Sequence, residues 1–228
     1  MIRPTSPSPA QRLATFTRRL LPDTSGVALI EFSLVLPILV LMALTGSELN
    51  SYITTKMRVS QLALQVSDDA ARIGAGSRLA AKRINESDIN DVFIGAQLQS
   101  GELDLLNNGR VIISSLEPVA TPNTTNRFRI RWQRCYGVKT SYTPGYGTAG
   151  TTNMIGMGPA ARQVTAQEGG ATMFVEVYFV YKPLIGLGTR APTTTFTEIA
   201  SMAVRERRDL SGGNNGIYPI AGVTPSTC

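Results

Sequence analysis

The 228-residue sequence contains no histidine, and that absence removes several kinds of chemistry. Without imidazole there is no Ser-His-Asp or Cys-His nucleophile pair, no His-ligated zinc and no histidine switch near neutral pH. Cysteine is scarce as well. The only two, Cys135 and Cys228, are too few for a four-thiolate metal site. Charged residues make up 17% and hydrophobic ones 43%, the composition of a globular chain rather than a disordered one. The length allows one domain of about 150 residues with an appendage. Lys and Arg total 22 against 16 Asp and Glu, a formal net charge of +6 whose meaning depends on where the charges lie.

What is present is a long apolar run near the N-terminus. From Val27 to Leu44 the residues are VALIEFSLVLPILVLMAL, with Glu31 the single charge, and Thr45-Gly46-Ser47 continue it uncharged. Twenty such residues form a helix of about 30 Å, the hydrocarbon thickness of a bilayer. Arg3, Arg12, Arg18 and Arg19 precede the run with only Asp23 opposing, so the positive-inside rule places residues 1–25 in the cytoplasm and everything after about residue 47 outside. A cleaved secretory signal would pass into polar coil. Here Leu49, Tyr52, Lys56, Val59, Ala63, Val66, Ala70 and Ile73 instead recur at steps of three and four, lining one helix face that only Lys56 interrupts. Gly74 and Gly76 supply the stop signal, so one helix is expected from about Val27 to Ile73.

Glu31 is the anomaly, because an acid at mid-membrane costs about 2 to 3 kcal/mol on insertion scales. Its neighbourhood, Gly26-Val-Ala-Leu-Ile-Glu31-Phe32 after a basic leader and before an apolar helix, resembles the processing signal of type IV pilins. The resemblance implies that a prepilin peptidase cuts after Gly26, that Val27 becomes the new N-terminus and that Glu31 is the buried acid of the mature helix. An α-amino group has a pKa near 7.7 to 8.0, so a cationic Val27 could neutralise Glu31 of a neighbouring helix and fix the stagger between subunits. Glu followed by Phe, a leader of this length and Pro37 within the run look more specifically like the TadE/TadF pseudopilins of tight-adherence, or Flp-type, pili. Arg131-Trp-Gln-Arg-Cys135-Tyr-Gly137, the Gly-rich stretch after it, Val175-Glu-Val-Tyr-Phe-Val-Tyr-Lys-Pro-Leu184 and Ala203-Val-Arg-Glu-Arg207 are similar to the C-terminal part of TadE-like proteins. Major Flp pilins are far shorter, so the resemblance implies a minor pilin-like component. It would be single-pass in the bacterial inner membrane, its C-terminus periplasmic or, once assembled, at the cell surface. Its implied partners are the membrane, the prepilin peptidase, other pilin and pseudopilin subunits and the pilus assembly platform. A signal-anchored periplasmic interaction domain that keeps its leader would share this topology.

The expected organisation is a cytoplasmic leader 1–26, a transmembrane helix 27–46, an amphipathic extension 47–76 and an exported domain 77–228. The fold class is α+β, with the long helix packed on an antiparallel sheet of about four strands. A helix from Ser87 to Gln99, N-capped by Ser87, would bury Ile89, Val92, Phe93 and Ala96. Strands are expected at Arg110–Leu116, Arg127–Cys135, Ala171–Tyr181 and Phe196–Arg205. In the second, Phe128, Ile130 and Trp132 alternate with Arg127, Arg129 and Arg131. Such alternation predicts a sheet with one covered face. Residues 137–170 read as a long Gly-rich loop, either an assembly or binding element or a flexible excursion. Exported thiols oxidise, so a Cys135–Cys228 bridge is expected, the alternatives being a free terminal thiol or an intermolecular link.

Other functions find little footing. Ser114 and Ser115 lie in an ordinary strand, and Asp68 and Asp69 are adjacent on a helix and point apart, so no enzyme is expected. No phosphate loop or metal-ligand spacing occurs, and neither cofactor, metal nor small-molecule substrate is implied. Met154 and Met157 read as packing residues. The arginines of the second strand face away from its aromatics, so no base-stacking platform is expected and nucleic acid is not an expected partner.

Overall fold

The computed structural model describes residues 26–76, 80–185 and 194–228, and so leaves the basic leader up to residue 25 outside the description. Helix α1 (Val27–Arg72) runs unbroken through Pro37. The chain divides into two units, one up to Leu49 and one from Asn50 onward. In the first, α1 is long and apolar enough to cross a membrane and has no buried residue in its most apolar window. Two of its hydroxyls bond back within the helix: Ser33 Oγ donates to Leu29 O at 2.7 Å and Thr45 Oγ1 to Leu41 O at 2.7 Å. Such back-bonding suits a segment with no other polar partner.

In the second unit, α1 buries Val59, Leu62, Ala63, Val66, Ala70 and Ala71. Val59, Ala63, Val66 and Ala70 are members of the expected three-four stripe, widened by Leu62 and Ala71; Tyr52 and Ile73 are partly buried against the same core, whereas Leu49 and Lys56 are exposed. Beyond it come β1 (Ile84–Asn85), α2 (Glu86–Gln99), a 3-10 turn, the single-turn α3 (Leu105–Asn108), β2 (Gly109–Pro118), β3 (Phe128–Tyr136), β4 (Thr172–Val180), β5 (Thr195–Ala203) and β6 (Ile217–Tyr218). β3, β2, β4 and β5 form an antiparallel sheet in that order, and β1 pairs with β6 in parallel. The fold is therefore α+β, with the long helix on a four-stranded antiparallel sheet. One helix end differs from expectation. Asn85, not Ser87, caps α2: its Oδ1 accepts from Asp88 N and Asp88 Oδ2 accepts from Asn85 N, both at 3.0 Å. The reciprocal pair satisfies two of the end's free N–H groups, which Ser87 inside the first turn could not.

Two expectations about the sheet are overturned. It is covered on both faces, and all ten residues of β2 are buried. One face carries Val111, Ile113, Trp132, Met173, Val175, Val177 and Phe196 against α1 and α2. The opposite face carries Leu116, Phe128, Ile130 and Phe174 against Met157, Tyr146, Met154 and Val164 of the Gly-rich stretch 137–170. That stretch is a packed layer. It also hydrogen-bonds along the outer edge of β3, Phe128 N to Met154 O and Ile130 N to Thr151 O at 2.8 Å each, and so protects the edge. The second correction concerns β3. Its register against β2 passes from Leu116↔Ile130 to Ser115↔Trp132, leaving Arg131 unpaired as a bulge. One extra residue inverts the side-chain alternation. Phe128 and Ile130 therefore join the loop-side cluster, whereas Trp132 joins the helix-side one.

Phe93 of α2 is 1% exposed and stacks on Tyr136 at 5.5 Å, whereas Leu98 on the same helix is 77% exposed. Phe93→Ala should lower unfolding free energy by about 3–5 kcal/mol, and Leu98→Ala by no more than about 0.5 kcal/mol. Denaturant unfolding in detergent, followed by the fluorescence of Trp132, reads the difference.

Candidate functional site

The processing signature falls at the start of α1. Gly26 directly precedes the helix, Val27 opens it, and both are exposed together with Glu31. A Cβ on Gly26 would meet nothing within 4 Å, so this structure itself gives no reason for glycine there. Val27 and Glu31 are one turn apart, on the same side of the helix. Glu31 makes no ion pair among the described residues.

Near its other end, where Ala70 and Ala71 are buried, α1 carries a polar cluster that no sequence motif marks. Arg208, 8% exposed, donates from one terminal guanidinium nitrogen to Ala70 O at 3.0 Å and Ile73 O at 3.1 Å. The last carbonyls of a helix lack intrahelical partners and carry partial negative charge, so a cation there satisfies both needs. Burial pushes the Arg208 guanidinium down to about 10, and it remains charged at neutral pH. Glu117 of β2, 2% exposed, is the acid whose charge acts most strongly on it, ahead of Asp88. Burial pushes its carboxyl up to about 7, against the opposing pull of Arg131, a 3.2 Å hydrogen bond from Ser115 Oγ, and Arg129 and Arg208. No sequence signal marks Arg208 beyond its basic neighbourhood. Glu117 is an acid next to Pro118 at a strand end and looks like a solvent-facing terminus.

On the loop side of the sheet, Glu176 of β4 is fully buried. Its Oε2 accepts from Tyr142 Oη and from Gly145 N, both at 2.9 Å, and the Tyr142 ring stacks on Tyr178 at 4.5 Å. Burial raises the Glu176 carboxyl above the usual range, and burial together with the adjacent carboxylate raises the Tyr142 phenol. Glu176 interrupts the apolar run Val175–Val177, and this acid at a core position was the one available signal.

Cys135, near the end of β3, is bonded to Cys228, with Cα atoms 4.9 Å apart. The tail is also held by its backbone and by α2: Cys135 N donates to Ser226 O at 2.8 Å, Asn90 Nδ2 to Thr224 O at 3.1 Å, and Ser226 Oγ to Asn90 Oδ1 at 2.7 Å. Glu86 and Arg134 add an ion pair between α2 and β3, with both side chains largely buried.

The bridge spans 93 residues of sequence. Opening it by Cys135→Ser with Cys228→Ser should cost about 4–5 kcal/mol in the chain-entropy picture. Unfolding curves of the two proteins measure that cost, and two free thiols on non-reducing mass spectrometry of protein produced under oxidising conditions would contradict the bond. Glu117 generates a pH prediction. Its folded value of about 7 lies above the ordinary 4.5, so its contribution to stability is fully present below about pH 4.5 and is lost as pH rises through about 7. The loss is roughly 3 kcal/mol. Glu117→Gln should therefore show a smaller fall in denaturant midpoint between pH 5 and pH 8 than the wild type, and equal falls would contradict the burial argument.

No family model, no curated protein and no solved structure matches this chain.

Proposed function

We propose that the chain is a minor pilin-like subunit, resembling the TadE/TadF pseudopilins, that serves assembly of a tight-adherence pilus and surface adhesion. In this reading the first half of α1 crosses the bacterial inner membrane with its N-terminus cytoplasmic. A prepilin peptidase removes the leader after Gly26, and the β-sheet domain is the exported part. The subunit then engages other pilin and pseudopilin subunits and the assembly platform, and enters the fibre at or near its tip.

One observation carries the proposal: Glu31 stands alone on a bare apolar helix, one turn from the residue that the signature would make the N-terminus. A helix with no buried residue in its most apolar window needs lipid or neighbouring helices around it. A carboxylate there needs a cation or a proton. A freed Val27 amine on an adjoining subunit supplies the cation and sets the axial offset between helices.

N-terminal sequencing of the protein from its membrane is the most direct test, with Val27 expected as the first residue and an intact Met1 contradicting processing. Gly26→Phe should leave the leader uncut. Glu31→Ala should spare membrane insertion and reduce incorporation into fibres. Pilus yield read by electron microscopy, if normal in both variants, would overturn the reading in favour of a plain tethered domain.

A further inference from the structure

The bulge that inverts β3 also builds a pocket. Arg129 pairs in register with Glu117, and Arg131, the bulged residue, has no partner across the ladder. Both arginines line a partly open pocket of about 370 Å³, together with Gly150 and Thr152 of the Gly-rich layer and Asn215 of the C-terminal region. Asn215 reaches this position on a left-handed turn at φ 56°. The Nε atoms of Arg129 and Arg131 are buried and meet no hydrogen-bond partner, and the Nε of Arg208 is in the same condition.

A buried N–H without an acceptor costs about 1–3 kcal/mol, and two guanidinium groups two residues apart also repel. Arg110 and Arg208 share the first liability elsewhere in the fold, but of the four only Arg129 and Arg131 combine it with a shared pocket, and there an acceptor of negative charge would relieve both liabilities. Guanidinium presents its N–H groups as a planar fork that matches the paired oxygens of a carboxylate or phosphate. A pocket of this volume is within the ordinary range for small ligands. Glu117 is the acid that opposes these arginines, and burial lifts its carboxyl to about 7, so near neutral pH it cancels only part of their charge.

We propose that the pocket between Arg129, Arg131, Thr152 and Asn215 binds an oxoanion, a carboxylate or a phosphate group, through the two guanidinium groups. The site lies on the rigid sheet, and the wall from the Gly-rich stretch is fixed there by backbone hydrogen bonds, Gly150 N to Ile130 O at 2.8 Å among them. It is therefore formed before its ligand arrives.

Equilibrium dialysis of the full chain in neutral detergent tests this, with labelled inorganic phosphate in one arm and labelled N-acetylglutamate in the other, at constant chloride. Saturable binding of one anion per chain is expected in at least one arm, with affinity at least tenfold lower in Arg131→Gln. Phosphate binding alone assigns a phosphate group, and N-acetylglutamate binding alone assigns a carboxylate. A measurement on unmutated protein runs beside it. Phenylglyoxal modification, mapped by mass spectrometry, should be slowed severalfold at Arg129 and Arg131 by the bound anion and unchanged at the exposed Arg162. Absence of saturable binding in both arms, equal binding by Arg131→Gln, or no protection of either arginine would overturn the proposal.

Discussion

The last carbonyl groups of a long helix lack intrahelical partners, and where they face the core of a protein something else must satisfy them; much of this domain answers that constraint. α1 ends at Arg72, Gly74 follows at φ 118°, and the chain turns back so that Ala75 and Arg83 exchange backbone hydrogen bonds at 2.9 and 3.0 Å. The carbonyls of Ala70 and Ile73 then receive Arg208, which arrives from 135 or more residues further along the chain. A buried cation in turn requires acids and acceptors nearby. Glu117 and the Met173 sulfur, 3.4 Å from the guanidinium, lie on the strands that α1 covers. One unsatisfied helix end thus helps position the segment after β5 and sets the electrostatics of the β2–β3 end of the sheet.

The opposite face of the sheet meets a different difficulty, because the segment that covers it is rich in glycine and poor in apolar side chains. Glycine allows close approach here. At Gly147 a Cβ would stand 2.9 Å from Ile130 Cδ1, and the residue sits at φ 118°. The backbone therefore packs directly on the strand. What the layer lacks in hydrophobic area is offset by directed bonds, the Glu176 carboxylate holding Tyr142 and Gly145, and by ladder-like bonds along β3. Such contacts are strong where water is excluded, and they order residues that their composition alone would leave mobile.

Features with a local cause were readable in advance, and features with a distant cause were not. The stripe Val59, Ala63, Val66 and Ala70 follows from helical periodicity, the Gly74 stop from backbone conformation, and the four main strands from alternation and β-branched content, each within one or two residues of the observed ends. The cap of α2 was misplaced because Asn85 and Ser87 are both good caps in isolation. Asp88, three residues after Asn85, decides between them. The bulge at Arg131 has no signature at its own position, where Phe128 to Gln133 alternate regularly; only the consecutive polar pair Gln133-Arg134 departs from the pattern, and the bulge itself is defined by pairing with β2. The second covered face was missed for a related reason, since a Gly-rich stretch announces turns and not the surface on which those turns rest.

Comparing Glu31 with two of the buried acids, Glu176 and Glu117, clarifies what a carboxylate in apolar surroundings requires. Glu176 receives an O–H and an N–H from the layer that it anchors. Glu117 has a single hydroxyl donor, and the balance of burial against nearby arginines moves it towards the protonated form near neutral pH. Glu31 has neither device, for it lies on an exposed helix surface with no ion pair among the described residues. In water that would need no explanation. In lipid it leaves a proton, headgroup water or a cation on another molecule as the remaining compensations. The proposed pilin reading selects the last of these, because cleavage after Gly26 would place a positive charge one helical turn from Glu31 on every copy of the helix.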